Sequence, residues 1–167
     1  MVRLRSLPGP VKLHIVGHSL GAVIATHLAD RALSLTLLSP AGTGDEINGD
    51  FIAAMLGGHM GHALEILGEK LSPEIEAELA SDLAVNGGQL KEIAAGVADD
   101  GKQKVSILAK LKNLKIPVTA IYMRDDQVVS ALDALNLPPN VAVHFVAGNS
   151  HMPHWRDPEL VASLIGG

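Results

Sequence analysis

Apolar residues cluster in short blocks near 12 to 16 (Leu13, Ile15, Val16), at Leu33-Ser34-Leu35-Thr36-Leu37-Leu38, at Val118-Thr119-Ala120-Ile121-Tyr122 and at Val141-Ala142-Val143-His144-Phe145. Their length and β-branched content predict four strands. Between the first two, residues 20 to 31 carry a helix-like Ala/Val/Ile/His/Leu pattern, giving a strand, helix, strand unit. Pro40-Ala41-Gly42-Thr43-Gly44 breaks the order. From Asp50 to Asn113 the pattern is almost wholly helical, punctuated by Gly57-Gly58, Ser72-Pro73, Gly87-Gly88 and Gly101. Ser72 with Pro73 and Glu74 reads as an N-cap followed by a first-turn proline. Val105, Leu108, Leu111 and Leu114 recur at helical spacing and are expected to pack on the sheet or cap it. A short helix after Asp126 and a last one opening at Asp157-Pro158-Glu159 complete the order. Strands alternating with helices predict an α/β fold, a mostly parallel sheet flanked by helices. Residues 1–167 read as one domain. The block 45–113 is too long for a simple crossover and reads as a helical lid inserted within it. No internal repeat or low-complexity linker interrupts the chain.

Composition narrows the functional classes. The chain has 167 residues, of which 47% are hydrophobic, and a mean hydropathy of +0.27, enough for a sizeable core. Its formal net charge of −5 and scattered basic residues argue against nucleic acid or an anionic membrane surface as partner. Absence of cysteine excludes disulfides, thiol catalysis and Cys-based zinc sites. No apolar run approaches the roughly 18 residues of a membrane span, and Met1-Val2-Arg3-Leu4-Arg5 lacks the apolar stretch of a signal peptide. A cytoplasmic protein is the expectation. Phe51, Tyr122, Phe145 and Trp155 are too few for stacking platforms.

The chemistry concentrates at Gly17-His18-Ser19-Leu20-Gly21, placed after a strand and before a helix. That context makes the pentapeptide a nucleophile elbow, with Ser19 strained at the turn and glycines where a side chain at either flank would collide with its neighbours. A serine hydroxyl is a weak nucleophile near neutral pH and needs a base. An imidazole can take and return its proton, and a carboxylate on the other ring nitrogen fixes the tautomer. Functional groups gather at the carboxyl ends of parallel strands. Asp125 and Asp126 follow the third strand and His151 follows the fourth, so serine, acid and histidine appear in the required order. Asp126 is chosen over Asp125 because it occupies the turn into the following helix. The plain alternative for either aspartate is a helix cap.

The other histidines have plainer roles. His14, His27 and His144 lie on predicted strands or helices as packed or surface residues, and His18 packs at the elbow. His59 with His62, and His151 with His154, are three apart, yet no acidic partner completes a metal site, and none is expected. Asp45-Glu46-Ile47-Asn48-Gly49-Asp50 lacks calcium-loop spacing and reads as a solvated turn opening the lid.

Together, Gly17 to Gly21, Arg124-Asp125-Asp126-Gln127-Val128-Val129 and Ser150-His151-Met152-Pro153-His154 resemble the α/β-hydrolase family across most of the chain. The stretch from Leu37 to Ile52 is more specific. It resembles the hydrolase-like domain of the dihydrolipoyl acetyltransferase component of acetoin dehydrogenase complexes. The resemblance implies a catalytic Ser19, Asp126 and His151, with the Leu20 N–H as one oxyanion donor. It implies acyl transfer or hydrolysis on a small ester or thioester. No cofactor is expected in this chain itself, a lipoyl group being carried on a separate domain or chain, with other subunits of a dehydrogenase complex as partners. A generic carboxylesterase and a non-catalytic assembly domain are the competing readings. Family members carry about four strands and a second oxyanion donor before the elbow. Only about a dozen residues precede the first strand here, so the expectation is a truncated α/β-hydrolase fold. Losing one such donor typically costs about a hundredfold to a thousandfold in rate, which implies weak activity from this chain alone. An interior strand left as an edge also implies a homo-oligomer.

Overall fold

The computed structural model describes residues 13–165. Strands β1 (Leu13–His18), β2 (Ala32–Leu38), β5 (Val118–Met123) and β6 (Val141–Val146) form one sheet in the order β1-β2-β5-β6, with every pair parallel. Five of the seven β2 residues and all six of β5 are buried. Burial on both faces explains why these two strands read as nearly continuous apolar blocks. Alternation along them still sorts the layers. Leu35, Leu37, Val118, Ala120 and Tyr122 join the main core, while Leu38 and Ile121 pack with Val161 in a smaller one.

Helix α1 (Leu20–Leu28) contributes Ala22, Val23 and Ala25 to the main core, and a 3-10 turn (Ala29–Arg31) leads into β2. Next come helices α2 (Gly49–Leu56), α3 (Met60–Leu67) and α4 (Pro73–Val97). Asn48 Oδ1 caps α2 by accepting from the Phe51 N–H at 3.0 Å, and Ser72 caps α4, with Pro73 in its first turn as the sequence suggested. Two expectations for the block 45–113 are corrected. Gly87-Gly88 do not break the chain but lie inside α4, whose Ala, Glu, Leu and Gln residues carry enough helix propensity to run through them. Nor is the block helical to Asn113. A two-residue hairpin, β3 (Ala98–Asp99) with β4 (Lys102–Gln103), turns at Asp100 (φ 47°) and Gly101 (φ 72°). Those left-handed conformations are what a two-residue hairpin turn demands, so Gly101 is a turn residue. Helix α5 (Leu108–Asn113) returns to the sheet layer, where Ile107, Leu111 and Leu114 are core residues. The helix expected soon after Asp126 is a 3-10 segment at Ala131–Asn136. Short α6 (Pro153–Arg156) and α7 (Pro158–Leu164) end the chain, Asp157 Oδ1 capping α7 at 2.9 Å from the Leu160 N–H.

The loop after β2 is pinned to the sheet. Tyr122 donates to Thr43 Oγ1 at 3.0 Å, Thr43 donates to the Pro40 carbonyl at 3.0 Å, and Asn136 Nδ2 donates to the Thr43 carbonyl at 2.9 Å. Asp133 fills the space where a Cβ on Gly44 would lie. Burial, then the neighbouring Asp45 and Glu46 carboxylates, push its pKa up to about 6 from 3.8. Between those values the folded chain holds the proton that the unfolded chain has released, so stability falls as pH rises through this window and stays lower above it. Asp133→Asn should therefore raise the melting temperature at pH 7.5 by about 2–4 °C. That is about 1 kcal/mol once solvent screening of this partly exposed side chain is allowed for. Melting curves of both proteins should converge near pH 4, and an unchanged gap there would contradict this account.

Candidate active site

Because the sheet is parallel, the carboxyl ends of β1, β5 and β6 face one rim, and the loops leaving them carry Ser19, Asp126 and His151. Ser19 adopts φ 50°, ψ −121°, outside the ordinary regions for a residue with a Cβ. Such a conformation costs on the order of 1–3 kcal/mol and persists only where the surroundings fix it. Here the Ser19 N–H donates to the Leu38 carbonyl at 2.9 Å, and its carbonyl accepts from Ala22 at 3.0 Å and Ala41 at 3.2 Å. The end of β2, the loop after it and the first turn of α1 thus clamp the strained residue. Leu20 opens α1, so its N–H lies ahead of the helix's own hydrogen-bond ladder, beside the serine. Gly17 lies where a Cβ would meet Ala25 Cβ and the Gly21 carbonyl at 2.6 Å. At Gly21 the expected collision is absent. Among the described residues nothing stands within 4 Å of a Cβ there, because that face of α1's first turn is open.

Asp126 and His151 are both buried, and Asp126 Oδ2 is 2.8 Å from His151 Nδ1. The other carboxylate oxygen accepts from the Val128 N–H at 2.8 Å and the Val129 N–H at 3.2 Å. Bracing the turn after β5 and orienting a histidine are therefore one arrangement, each oxygen doing one task. Asp125 is exposed and forms no side-chain hydrogen bond among the described residues. His151 Nε2 is buried and unbonded, and no hydrogen bond joins it to Ser19 Oγ, though both side chains line one cavity. Catalytic hydrogen bonds are often open without substrate and tighten when it binds.

Sequence reasoning left several supports unseen. His18 Nε2 is 2.8 Å from the His151 carbonyl, and the His18 ring lies 4.8 Å from that of His151 and 5.0 Å from that of His154. Burial, then the adjacent His151, hold the His18 imidazole down to about 4, so it is neutral at physiological pH and its Nε2 donates to the carbonyl. Burial and His151 also lower His154. The end of α3 and the turn after it grip the same loop. The His151 N–H donates to the Leu67 carbonyl at 2.9 Å, Ser150 Oγ donates to Glu69, and Gly68 (φ 70°) lies against the Asn149 carbonyl. A glycine closing α3 was the available signal for that close approach.

A cavity of about 230 Å³ opens over Ser19 and His151. Phe51 and Met55 of α2, Met60 and Leu64 of α3, and Leu79 of α4 form its roof, and Met152 and Trp155 its flank. His59 and His62 are exposed, and no group of metal-ligating side chains is assembled among the described residues. No helix there is long and apolar enough to cross a membrane.

Comparison with known proteins agrees with this architecture. The meta-cleavage product hydrolase of Pseudomonas fluorescens IP01 superposes with a TM-score of 0.72 at 20% identity, over 92% of this chain and 62% of that one. A serine hydrolase from the polyaromatic-hydrocarbon-degrading bacterium Cycloclasticus zankles gives 0.70 at 18% identity, over 92% and 62%. In sequence, the dihydrolipoyllysine-residue acetyltransferase component of the acetoin cleaving system of Cupriavidus necator is 28% identical over 152 residues, covering 83% of this chain and 41% of that protein. The chain thus spans about two fifths of that relative and about three fifths of these structures. The pattern of the Alpha/beta hydrolase family matches residues 2–164, and the chain belongs to that family.

Proposed function

We propose that this chain carries out serine-based acyl chemistry, with Ser19 as nucleophile, His151 as base and Asp126 as its orienting acid. The observation that carries the reading is the buried Asp126–His151 hydrogen bond, which leaves an unbonded Nε2 in the same apolar cavity as the strained Ser19. In the reaction, Ser19 Oγ attacks the carbonyl carbon of an ester or thioester while its proton passes to His151 Nε2. The oxyanion formed is stabilised by the Leu20 N–H. Collapse expels the alcohol or thiol, which takes the proton from His151, and leaves an acyl-Ser19. A second acceptor, water or thiol, then gives its proton to His151 as it attacks, and Ser19 is released. Transfer to a thiol is supported by the name of the Cupriavidus necator relative, and hydrolysis by those of the two solved hydrolases.

A fluorophosphonate probe tests the reading. Stoichiometric labelling of the wild type, absent in Ser19→Ala, is expected, and an unlabelled folded wild type would assign the chain to a non-catalytic assembly role. Among active outcomes, acceleration of p-nitrophenyl acetate turnover by dihydrolipoamide identifies transfer, and indifference to it identifies a carboxylesterase.

A further inference from the structure

The cavity roof carries information that triad geometry does not. Apart from Ser19 and the two imidazoles, every side chain facing the cavity is apolar. His18 is neutral there. A charged or strongly polar substrate arm would lose its hydration in that space and find no partner, at a cost that a neutral hydrocarbon does not incur. Size narrows the class further. An apolar cavity of about 150 Å³ accepts one benzene molecule, and this one holds about 230 Å³. A two-carbon acyl group would leave most of it empty. Methionines at Met55, Met60 and Met152 add flexible, polarisable walls suited to an unbranched chain.

We propose, resting on the acyl chemistry above, that the preferred substrate is an ester or thioester bearing a neutral, unbranched hydrocarbon arm of about six to eight carbons, seated beneath α2, α3 and α4. Burying each methylene is worth about a fourfold gain. A six-carbon arm should thus exceed a two-carbon one by about 250-fold in kcat/KM, before arms too long for the roof lose it again.

Two substrate series distinguish an arm on the acyl side from one on the leaving side. They are p-nitrophenyl acetate, butyrate, hexanoate, octanoate and palmitate by absorbance, and methyl, butyl and hexyl acetate by pH-stat. A rise to hexanoate or octanoate, or to hexyl acetate, supports the proposal, and the rising series names the side. Flat profiles, or a maximum at acetate in the first series together with methyl acetate in the second, overturn it. Leu79→Phe and Met60→Phe narrow the roof from separate helices and should each lower the hexanoate-to-acetate ratio at least fivefold. Binding is read apart from turnover in Ser19→Ala, whose melting temperature should rise with hexyl acetate or p-nitrophenyl hexanoate and not with methyl acetate. An unlabelled wild type whose Ser19→Ala variant is still stabilised by the longer ester overturns the acyl chemistry alone. A labelled wild type that prefers the shortest esters in both series overturns the chain-length assignment alone.

Discussion

Asp126→Asn is expected to lower kcat for p-nitrophenyl ester hydrolysis by about ten-thousandfold near neutral pH, the scale seen when a serine enzyme's base is held in the wrong tautomer, while leaving the fold intact. The two carboxylate oxygens have separate duties, and the substitution removes one of them. Oδ1 accepts the Val128 and Val129 amides, a role the asparagine carbonyl oxygen keeps, so the turn after β5 survives. Oδ2 accepts the proton on His151 Nδ1. An amide nitrogen there is a donor, and it favours the ring with an unprotonated Nδ1 and its proton on Nε2. Nε2 could then no longer take the proton of Ser19. A melting temperature within about 2 °C of wild type, together with the loss in kcat, is the expected result. A variant that keeps a tenth of wild-type kcat would show that Asp126 serves the turn alone. Asp125→Asn is the control and should change neither quantity, its side chain being exposed and unbonded among the described residues.

What the sequence disclosed follows from where burial is strongest. The central strands β2 and β5 are buried on both faces, so their apolar blocks stand out without any knowledge of the fold. The order of Ser19, Asp126 and His151 was legible for a related reason, since parallel strands deliver their carboxyl ends to one rim. Preferring Asp126 over Asp125 rested on the turn, and the structure gives Asp126 the hydrogen bond to His151. The helical block after β2 was less legible. None of the described side chains of α4 is buried, so the helix lacks the strong periodic stripe that would have marked Gly87-Gly88 as interior. Asp100-Gly101 is a hairpin signal, but only two residues flank it on each side, too few to alternate visibly. The reach of His18, read only as packing at the elbow, and the role of Glu69 escaped notice because each acts across the chain. One reaches the His151 carbonyl and the other Ser150, and no spacing rule links residues 133 or 81 positions apart.

The elbow glycines give the second large effect, and they separate two positions that the motif treats alike. A Cβ on Gly17 would lie 2.6 Å from Ala25 Cβ, 2.6 Å from the Gly21 carbonyl oxygen and 2.7 Å from Ala22 Cα. Two of these are backbone atoms of α1, and no rotamer change moves them. Relief requires β1 and α1 to separate exactly where the Ser19 carbonyl holds Ala22 and Ala41, so the strained serine loses its clamp as well as its packing. Gly17→Ala should cost about 4 kcal/mol, at the upper end of single substitutions, or roughly 8–16 °C in melting temperature for a chain of this length. Whatever remains folded should lose fluorophosphonate labelling. At Gly21 a Cβ meets nothing within 4 Å among the described residues, and alanine is the better helix former. Gly21→Ala should therefore leave the melting temperature unchanged or slightly raised. Equal destabilisation by both substitutions would contradict the geometry, because only at Gly17 do strand and helix approach within the width of a methyl group.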